Sequence, residues 1–152
     1  MAIREQISDG LKQAMKSKDT ARLATLRLIS AAIKDKDIDK RSDGSDEGVT
    51  GDDVLAILSK MVKQRRESAR AYEEGGRLDL AEREQSEIKV IEEYLPRKLS
   101  DAEVAEAIET AIAEAEATSI RDMGKVIGKL KSQYTGQMDF GRVGPMVKAQ
   151  LG

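Results

Sequence analysis

The sequence of 152 residues contains no cysteine, histidine or tryptophan, and it has only four aromatic residues. Without cysteine the chain can form neither disulfides nor sites that use a thiolate as nucleophile or metal ligand. Without histidine it lacks the side chain that most often moves protons near neutral pH and most often ligates metals. These absences exclude most familiar hydrolytic and redox centres, and we predict no catalytic residue, no metal site and no cofactor.

Long apolar runs are also missing. The longest have only four or five residues, whereas a membrane-spanning helix needs about 20. The first residues include the charged pair Arg4 and Glu5 and no apolar segment of the kind that a secretory leader carries. We therefore expect no membrane association and a cytoplasmic location, with which the absence of cysteine is compatible.

Apolar residues spaced three and four apart predict helices along the first half of the chain. The first has Ile3, Ile7, Leu11, Ala14 and Met15 on one face, and Asp19 is the expected N-cap of the second. The polar segment 35–51 predicts a frayed helix end followed by an exposed loop. A capping box of Thr50 and Asp53 begins the third helix, and Gly75 and Gly76 end it. The inward residues predicted for the fourth helix, which stops at Pro96, are Leu78, Ala81, Ile88, Ile91 and Leu95.

Three further helices follow in the second half. Capping signals occur at Ser100 with Glu103 and at Ser119 with Asp122, and Gly136 is the expected end of the sixth helix. For the last helix we expect a start two or three residues after Asp139, because a proline such as Pro145 costs about 3 kcal/mol deep inside a helix. The prediction is an all-α fold, with a four-helix N-terminal subdomain (1–95) and a three-helix C-terminal subdomain (96–152).

Positive charge is concentrated near the end of the chain. Residues 121–152 hold six bases and two acids, a net charge of +4, whereas residues 95–120 hold two bases and six acids, a net charge of −4. Arg121, Lys125 and Lys129 are four residues apart and share one side of the sixth helix, with Lys131 close by. Between them lie Gly124 and Gly128, although a glycine inside a helix costs roughly 0.5–1 kcal/mol relative to alanine. Either a phosphate backbone approaches these glycines closely, or a neighbouring helix packs against them.

A second basic cluster lies on the third helix, where Lys63, Arg66 and Arg70 fall on one face. These residues either contact phosphates or form a solvated face that pairs with nearby glutamates. The four aromatic residues lie far apart and provide no stacking platform for single strands. If the chain binds nucleic acid, the pattern favours a structured backbone as the target.

Several segments together resemble the bacterial YqeY family of the GatB/YqeY group. They are residues 26–34 (LRLISAAIK), 60–68 (KMVKQRRES), 94–96 (YLP) and 122–128 (DMGKVIG), followed by Gly136, Val143, Val147, Lys148 and Leu151. The resemblance covers nearly the whole chain. It implies a four-helix N-terminal part and a C-terminal part similar to the tail domain of GatB, a subunit of the tRNA-dependent amidotransferase.

The resemblance also implies a function. It associates the chain with tRNA, or with an aminoacyl-tRNA-related enzyme, and with carbon–nitrogen ligation that uses glutamine as the amide donor. The residues that match the tail motif are Gly124, Lys125, Gly128 and Lys129. The large catalytic portion of GatB has no counterpart here, so we expect binding without an intrinsic active site. One alternative is a protein–protein adaptor, and a last one is an amidotransferase subunit that itself contributes to catalysis. The bound tRNA or protein, the oligomeric state and the relative orientation of the two subdomains are left open.

Overall fold

The computed structural model describes residues 2–44 and 48–152, and within these ranges the chain is helical with no strand. The all-α prediction is confirmed. The helices are α1 (Ile3–Ser17), α2 (Thr20–Ser42), α3 (Gly51–Glu74), α4 (Leu78–Glu92), α5 (Asp101–Glu114), α6 (Met123–Tyr134) and α7 (Phe140–Leu151). A short 3-10 turn, Ile120–Asp122, leads directly into α6.

The chain divides into two compact units between Leu95 and Pro96, and each unit has its own apolar core. In the first unit, α1 to α4 bury one stripe of side chains each, and the largest fully buried ones are Ile7, Leu26, Ile29, Val54, Leu58, Val62 and Ile91. In the second unit, α5 to α7 enclose a smaller core around Ile108, Val126, Leu130 and Val147. Removal of these side chains from water is the main favourable contribution to the stability of both units.

Side-chain capping begins the helices where the sequence predicts it. The Thr50 hydroxyl accepts from the Asp53 N–H while the Asp53 carboxylate accepts from the Thr50 N–H, and Ser100 and Glu103 form the same reciprocal pair. The carboxylate of Asp19 accepts from the Arg22 N–H at 3.1 Å. These bonds satisfy N–H groups that the first helical turn leaves without a partner.

The prediction of a frayed end for α2 is wrong, because the helix continues to Ser42. Its last turns make tertiary contacts that the polar sequence does not reveal. The Asp37 carboxylate accepts from the Val49 N–H at 3.1 Å and from Arg41 Nε at 3.2 Å. Lys40 Nζ lies 2.5 Å from Asp53 Oδ2, and this hydrogen bond, with that from the Thr50 N–H, lowers the pKa of Asp53 to about 2.

The expected late start of α7 is also wrong, because the helix begins at Phe140 and includes Pro145. The Asp139 carboxylate accepts from the Gly141 N–H at 3.0 Å and so begins the helix directly. Pro145 is exposed, while Val143 and Val147 are buried on the other side. Burial of two valines contributes about 1.5–3 kcal/mol each, which offsets the cost of about 3 kcal/mol for the proline.

Two apolar residues assigned to the interior lie outside it. Met15 is 54% exposed and Leu78 is 66% exposed. Met15 is about 100° around α1 from the buried Ala14, and Leu78 is the first residue of α4. Both lie at the edge of their apolar stripe, where periodicity alone does not separate inside from outside.

Gly48 allows the chain to pass close to α2 before α3 begins. Its backbone has a left-handed φ of 66°, and a Cβ added there would collide with the Asp37 carboxylate and lie 3.1 Å from the Arg41 guanidinium. The hydrogen bonds from the Val49 N–H and the Arg41 side chain also hold the pKa of Asp37 below its usual range. Glycine is therefore required here both for its backbone conformation and for the space that Asp37 occupies.

We expect Gly48→Ala to lower the free energy of unfolding of the first unit by about 2–3 kcal/mol. About 1–2 kcal/mol comes from the left-handed conformation, and the rest from displacement of the Asp37 carboxylate from the Val49 N–H. Gly44→Ala is the matched control, since Gly44 has a φ of 90° and open space around its Cβ direction. Chemical denaturation followed by circular dichroism should show the smaller loss for Gly44→Ala; equal losses would contradict the role of Asp37.

Candidate nucleic-acid interface

The orientation of α6 follows from its apolar stripe. Val126 and Leu130 have no exposed surface, and Met123, Ile127 and Tyr134 pack partly against the same core. Because successive residues are about 100° apart on a helix, the opposite face points away from this core. That outer face, which consists of Gly124, Lys125, Gly128 and Ser132, is exposed; we call it the α6 outer face.

The two glycines of the α6 outer face have no packing role among the described residues. A Cβ added at Gly124 or at Gly128 would meet no atom within 4 Å. The packing of α5, α6 and α7 in the second unit therefore does not require glycine at either position. Each still costs roughly 0.5–1 kcal/mol relative to alanine, and the fold does not recover this free energy through close contacts.

The basic residues near this face differ in whether they already have a partner. Arg121 and Lys125 are exposed and form no ion pair with any residue in the described ranges. Lys129 Nζ lies 2.7 Å from Glu114 Oε2 at the end of α5. Lys131 Nζ lies 6.0 Å from the centre of the Phe140 ring, which is at the outer limit of a cation–π contact. Arg121 and Lys125 are thus the cations most available to an external anion.

The turn before α6 holds Arg121 in place. The Ser119 hydroxyl accepts from the Arg121 N–H at 3.3 Å. The Asp122 carboxylate accepts from the Thr118 N–H at 3.0 Å and from the Ser119 N–H at 3.4 Å. These two N–H groups lower the pKa of Asp122, and the nearby charge of Lys125 lowers it further. The Asp122 carboxylate therefore stays ionised at neutral pH.

Negative charge in the second unit is concentrated on α5. Glu106 and Glu109 are exposed there, and Glu114 is the residue that pairs with Lys129. The acidic stretch is visible in the sequence, but the pairing of Glu114 with Lys129 is not, because no local spacing links residues 15 positions apart on two helices. The acidic and basic stretches of the sequence lie on different helices of the unit.

A clamp fixes the segment that precedes α5. Arg97 donates to both carboxylate oxygens of Glu103 at 2.8 Å, and this pairing, with the Ser100 N–H, lowers the pKa of Glu103 to about 2. The side-chain Nε2 of Gln137 donates to the main-chain carbonyl of Arg97 at 3.1 Å. The main-chain carbonyl of Gln137 accepts from the Leu99 N–H at 3.0 Å. Arg97 therefore serves the fold of the unit and is not a free cation.

The second predicted cluster lies on α3 in the first unit. Arg66 is 3.4 Å from a carboxylate oxygen of Glu92, and Arg70 is 3.3 Å from one of Glu74. Lys63 is exposed and has no ion pair with a described residue. For the two arginines, the observed pairs correspond to the alternative of a solvated, ion-paired face.

Neither a metal-binding cluster nor a membrane-spanning helix occurs in the described ranges. No group of three or more histidine, cysteine, aspartate or glutamate side chains there could hold a metal ion. None of the described helices combines the length and the apolar character needed to cross a membrane.

Comparison with known proteins identifies a family. The family model described as "Yqey-like protein" matches residues 4–151. Similar proteins include three fungal ones, each named "Altered inheritance of mitochondria protein 41, mitochondrial". The relative from Lachancea thermotolerans is 36% identical over 106 residues, that from Kluyveromyces lactis 35% over 130, and that from Clavispora lusitaniae 33% over 154.

These alignments cover 68%, 82% and 99% of this chain, and 54%, 66% and 85% of the respective relatives. The chain thus spans between half and two thirds of the length of the first two relatives. The expectation of a cytoplasmic location is wrong, because these relatives are named as mitochondrial proteins. It rested on a missing leader and missing cysteine, and neither absence identifies a compartment.

We expect Gly124→Ala and Gly128→Ala together to raise the free energy of unfolding of the second unit by about 1–2 kcal/mol. Alanine removes the conformational cost of glycine in a helix, and the added methyl groups enter open space. Thermal and chemical denaturation would measure the gain. Gly10→Ala in α1 is the contrasting control, since its Cβ would collide with the Tyr94 hydroxyl and should destabilise. A loss of stability in the double variant would show that the glycines are needed for folding.

Proposed function

The chain belongs to the YqeY-like family, and on that premise we propose that it is a helical module that binds tRNA, or an enzyme that handles tRNA, through the α6 outer face. The observation that carries this proposal is the exposure of Gly124 and Gly128 beside unpaired cations, at positions where the fold itself gains nothing from glycine. A binding surface accounts for residues that weaken the helix on which they lie.

The chemistry of this face suits a phosphate backbone. Without a Cβ at Gly124 and Gly128, a ligand can approach the helix main chain more closely than it could over larger side chains. Arg121 and Lys125 lie about one helical turn apart and can each donate to a phosphate oxygen. Lys129 and Lys131 lie on the same helix, on either side of the α6 outer face, and add positive potential. Lys129 must first release Glu114 before it can bind a phosphate.

In this proposal, the basic cluster on α3 contributes less to phosphate binding than the α6 outer face does. Lys63 is available for a phosphate, but Arg66 and Arg70 would have to leave Glu92 and Glu74. The chain's net charge of −2 favours local contacts over general affinity for nucleic acid.

The proposed role is recognition without chemistry. The sequence has neither cysteine nor histidine to act as nucleophile or base. In this proposal, any carbon–nitrogen ligation with glutamine as amide donor belongs to an associated enzyme, and the chain contributes contacts with tRNA or with that enzyme.

We expect tRNA binding to weaken as salt rises, and the variant Arg121→Gln/Lys125→Gln to show a shallower dependence. Each lost phosphate contact should reduce the slope of log K against log salt by about 1. Fluorescence anisotropy with labelled tRNA at several salt concentrations measures the slope.

The matched control is Lys12→Gln/Lys16→Gln, which removes the same charge from exposed positions on α1. If both double variants bind tRNA like the unaltered chain, the proposal fails. Partners that are retained after ribonuclease treatment and are released by the α6 variant alone would instead identify this face as a protein-binding surface.

A further expectation separates binding from folding. Gly124→Ala/Gly128→Ala should bind tRNA about three- to tenfold more weakly, because the methyl groups hold the backbone away from the helix, even though the variant is more stable. The same anisotropy assay measures this, and denaturation of the same sample confirms the fold. Unchanged affinity would show that the tRNA backbone does not approach the helix closely at these glycines. Binding would then depend on the charge of the basic residues alone.

A further inference from the structure

The outer face of α2 is exposed and carries large apolar side chains. Leu26, Ile29 and Ile33 are buried on the inner side of the helix. On the outer side, Leu28 is 49% exposed and Ile38 is 54% exposed. These two side chains leave aliphatic area on one helix face in contact with water, and burial against another molecule would be favourable.

The charged residues of this face form an ordered pattern. Arg27, Ala31 and Asp35 follow one another at four-residue intervals, so they lie along a single ridge of the helix surface. All three are exposed. Neither Arg27 nor Asp35 forms an ion pair or side-chain hydrogen bond with a residue in the described part of the chain. The ridge therefore consists of a cation (Arg27), a small residue (Ala31) and an anion (Asp35), and neither charge is paired within the described ranges.

We propose that this face binds the same face of a second copy of the chain, with the two α2 helices antiparallel and a two-fold axis beside Ala31. The proposal is independent of the α6 outer face and of tRNA binding, because α2 belongs to the first unit.

The geometry follows from ordinary helix packing. In the commonest class, the four-residue ridges of two helices run parallel to each other and the axes cross at about −50°. Reversal of the second helix about Ala31 turns the order cation, small, anion into anion, small, cation. Arg27 of each copy then lies opposite Asp35 of the other. Alanine at the centre permits close approach, and Leu28 and Ile38, on the adjacent ridges, are covered.

Charge complementarity is the reason for choosing a second copy over an unrelated protein. A two-fold interface is self-complementary when residue i contacts residue j and j contacts i, and the Arg27–Asp35 spacing about Ala31 has this symmetry. Lys34 lies beside the ridge and can keep its ammonium group in water at the rim. One helix face falls below the roughly 1,200–2,000 Å² of a stable interface, so the dimer should be weak and depend on concentration.

Sedimentation velocity of the full chain from micromolar to millimolar concentration tests the proposal. We expect reversible dimerisation for the unaltered protein. Arg27→Asp places two acids opposite each other twice per interface, and Asp35→Arg does the same with two cations. Each single variant should raise the dissociation constant about tenfold or more, because like charges face each other in the interface.

An equimolar mixture of the two charge variants provides the decisive test of the dimer. In an equimolar mixture of Arg27→Asp and Asp35→Arg chains, both contacts across the two-fold axis become attractive, so a heterodimer should form at concentrations where each variant alone stays monomeric. The doubly exchanged chain, Arg27→Asp/Asp35→Arg, should recover the homodimer. A monomer at every concentration of the unaltered protein, or a mixture that behaves as its two components do, would overturn the proposal.

Thiol crosslinking gives a second measurement, since the chain has no natural cysteine. Ala31→Cys should be crosslinked to a dimer by a short bismaleimide, because the two-fold axis brings the two thiols together. Ala56→Cys on α3, which is also exposed, is the matched control and should stay monomeric. Lys89→Asp on α4 controls for charge and should sediment like the unaltered chain. Equal crosslinking of both cysteine variants would contradict the assigned face, and circular dichroism verifies the fold of every variant.

Discussion

Burial of Val126 and Leu130 in the core of the second unit determines what α6 presents to solvent. With both side chains fully enclosed, the helix cannot rotate without exposing large aliphatic surface, at about 25 cal/mol for each Å². The outward direction of Gly124 and Gly128 follows from this constraint. Their lack of neighbours is therefore a property of the packed unit, and the proposed contact with a phosphate backbone depends on it.

The basic residues differ in whether they already form an ion pair, and this decides how available each is to a ligand. Lys129 and Arg66 already form ion pairs with carboxylates, whereas the side chains of Arg121, Lys125 and Arg27 form none in the described ranges. An exposed pair contributes little to stability, about 0–1 kcal/mol, but it lowers the availability of its cation to a ligand. The two proposed surfaces lie in different units, so a variant in one leaves the other intact as an internal control.

Local signals predicted much of the fold and less of the candidate site. The capping boxes at Thr50 and Ser100 depend on residues three positions apart, and such bonds form wherever the helix begins. The end of α2 was missed because Lys40 is paired with Asp53, 13 positions away. The inclusion of Pro145 in α7 was missed for a similar reason, since the valines that compensate for it are buried by other helices.

The amino-acid sequence by itself determined the all-helical class, most helix boundaries, the family and the concentration of positive charge near α6. Each of these depends on composition or on spacing within a few residues. Only the tertiary structure decided that a side chain at Gly124 or Gly128 would meet no neighbour, that Lys129 pairs with Glu114, and that Leu28 and Ile38 stay exposed. The reason is that burial and pairing depend on which helices come together, and residues distant in sequence make those contacts.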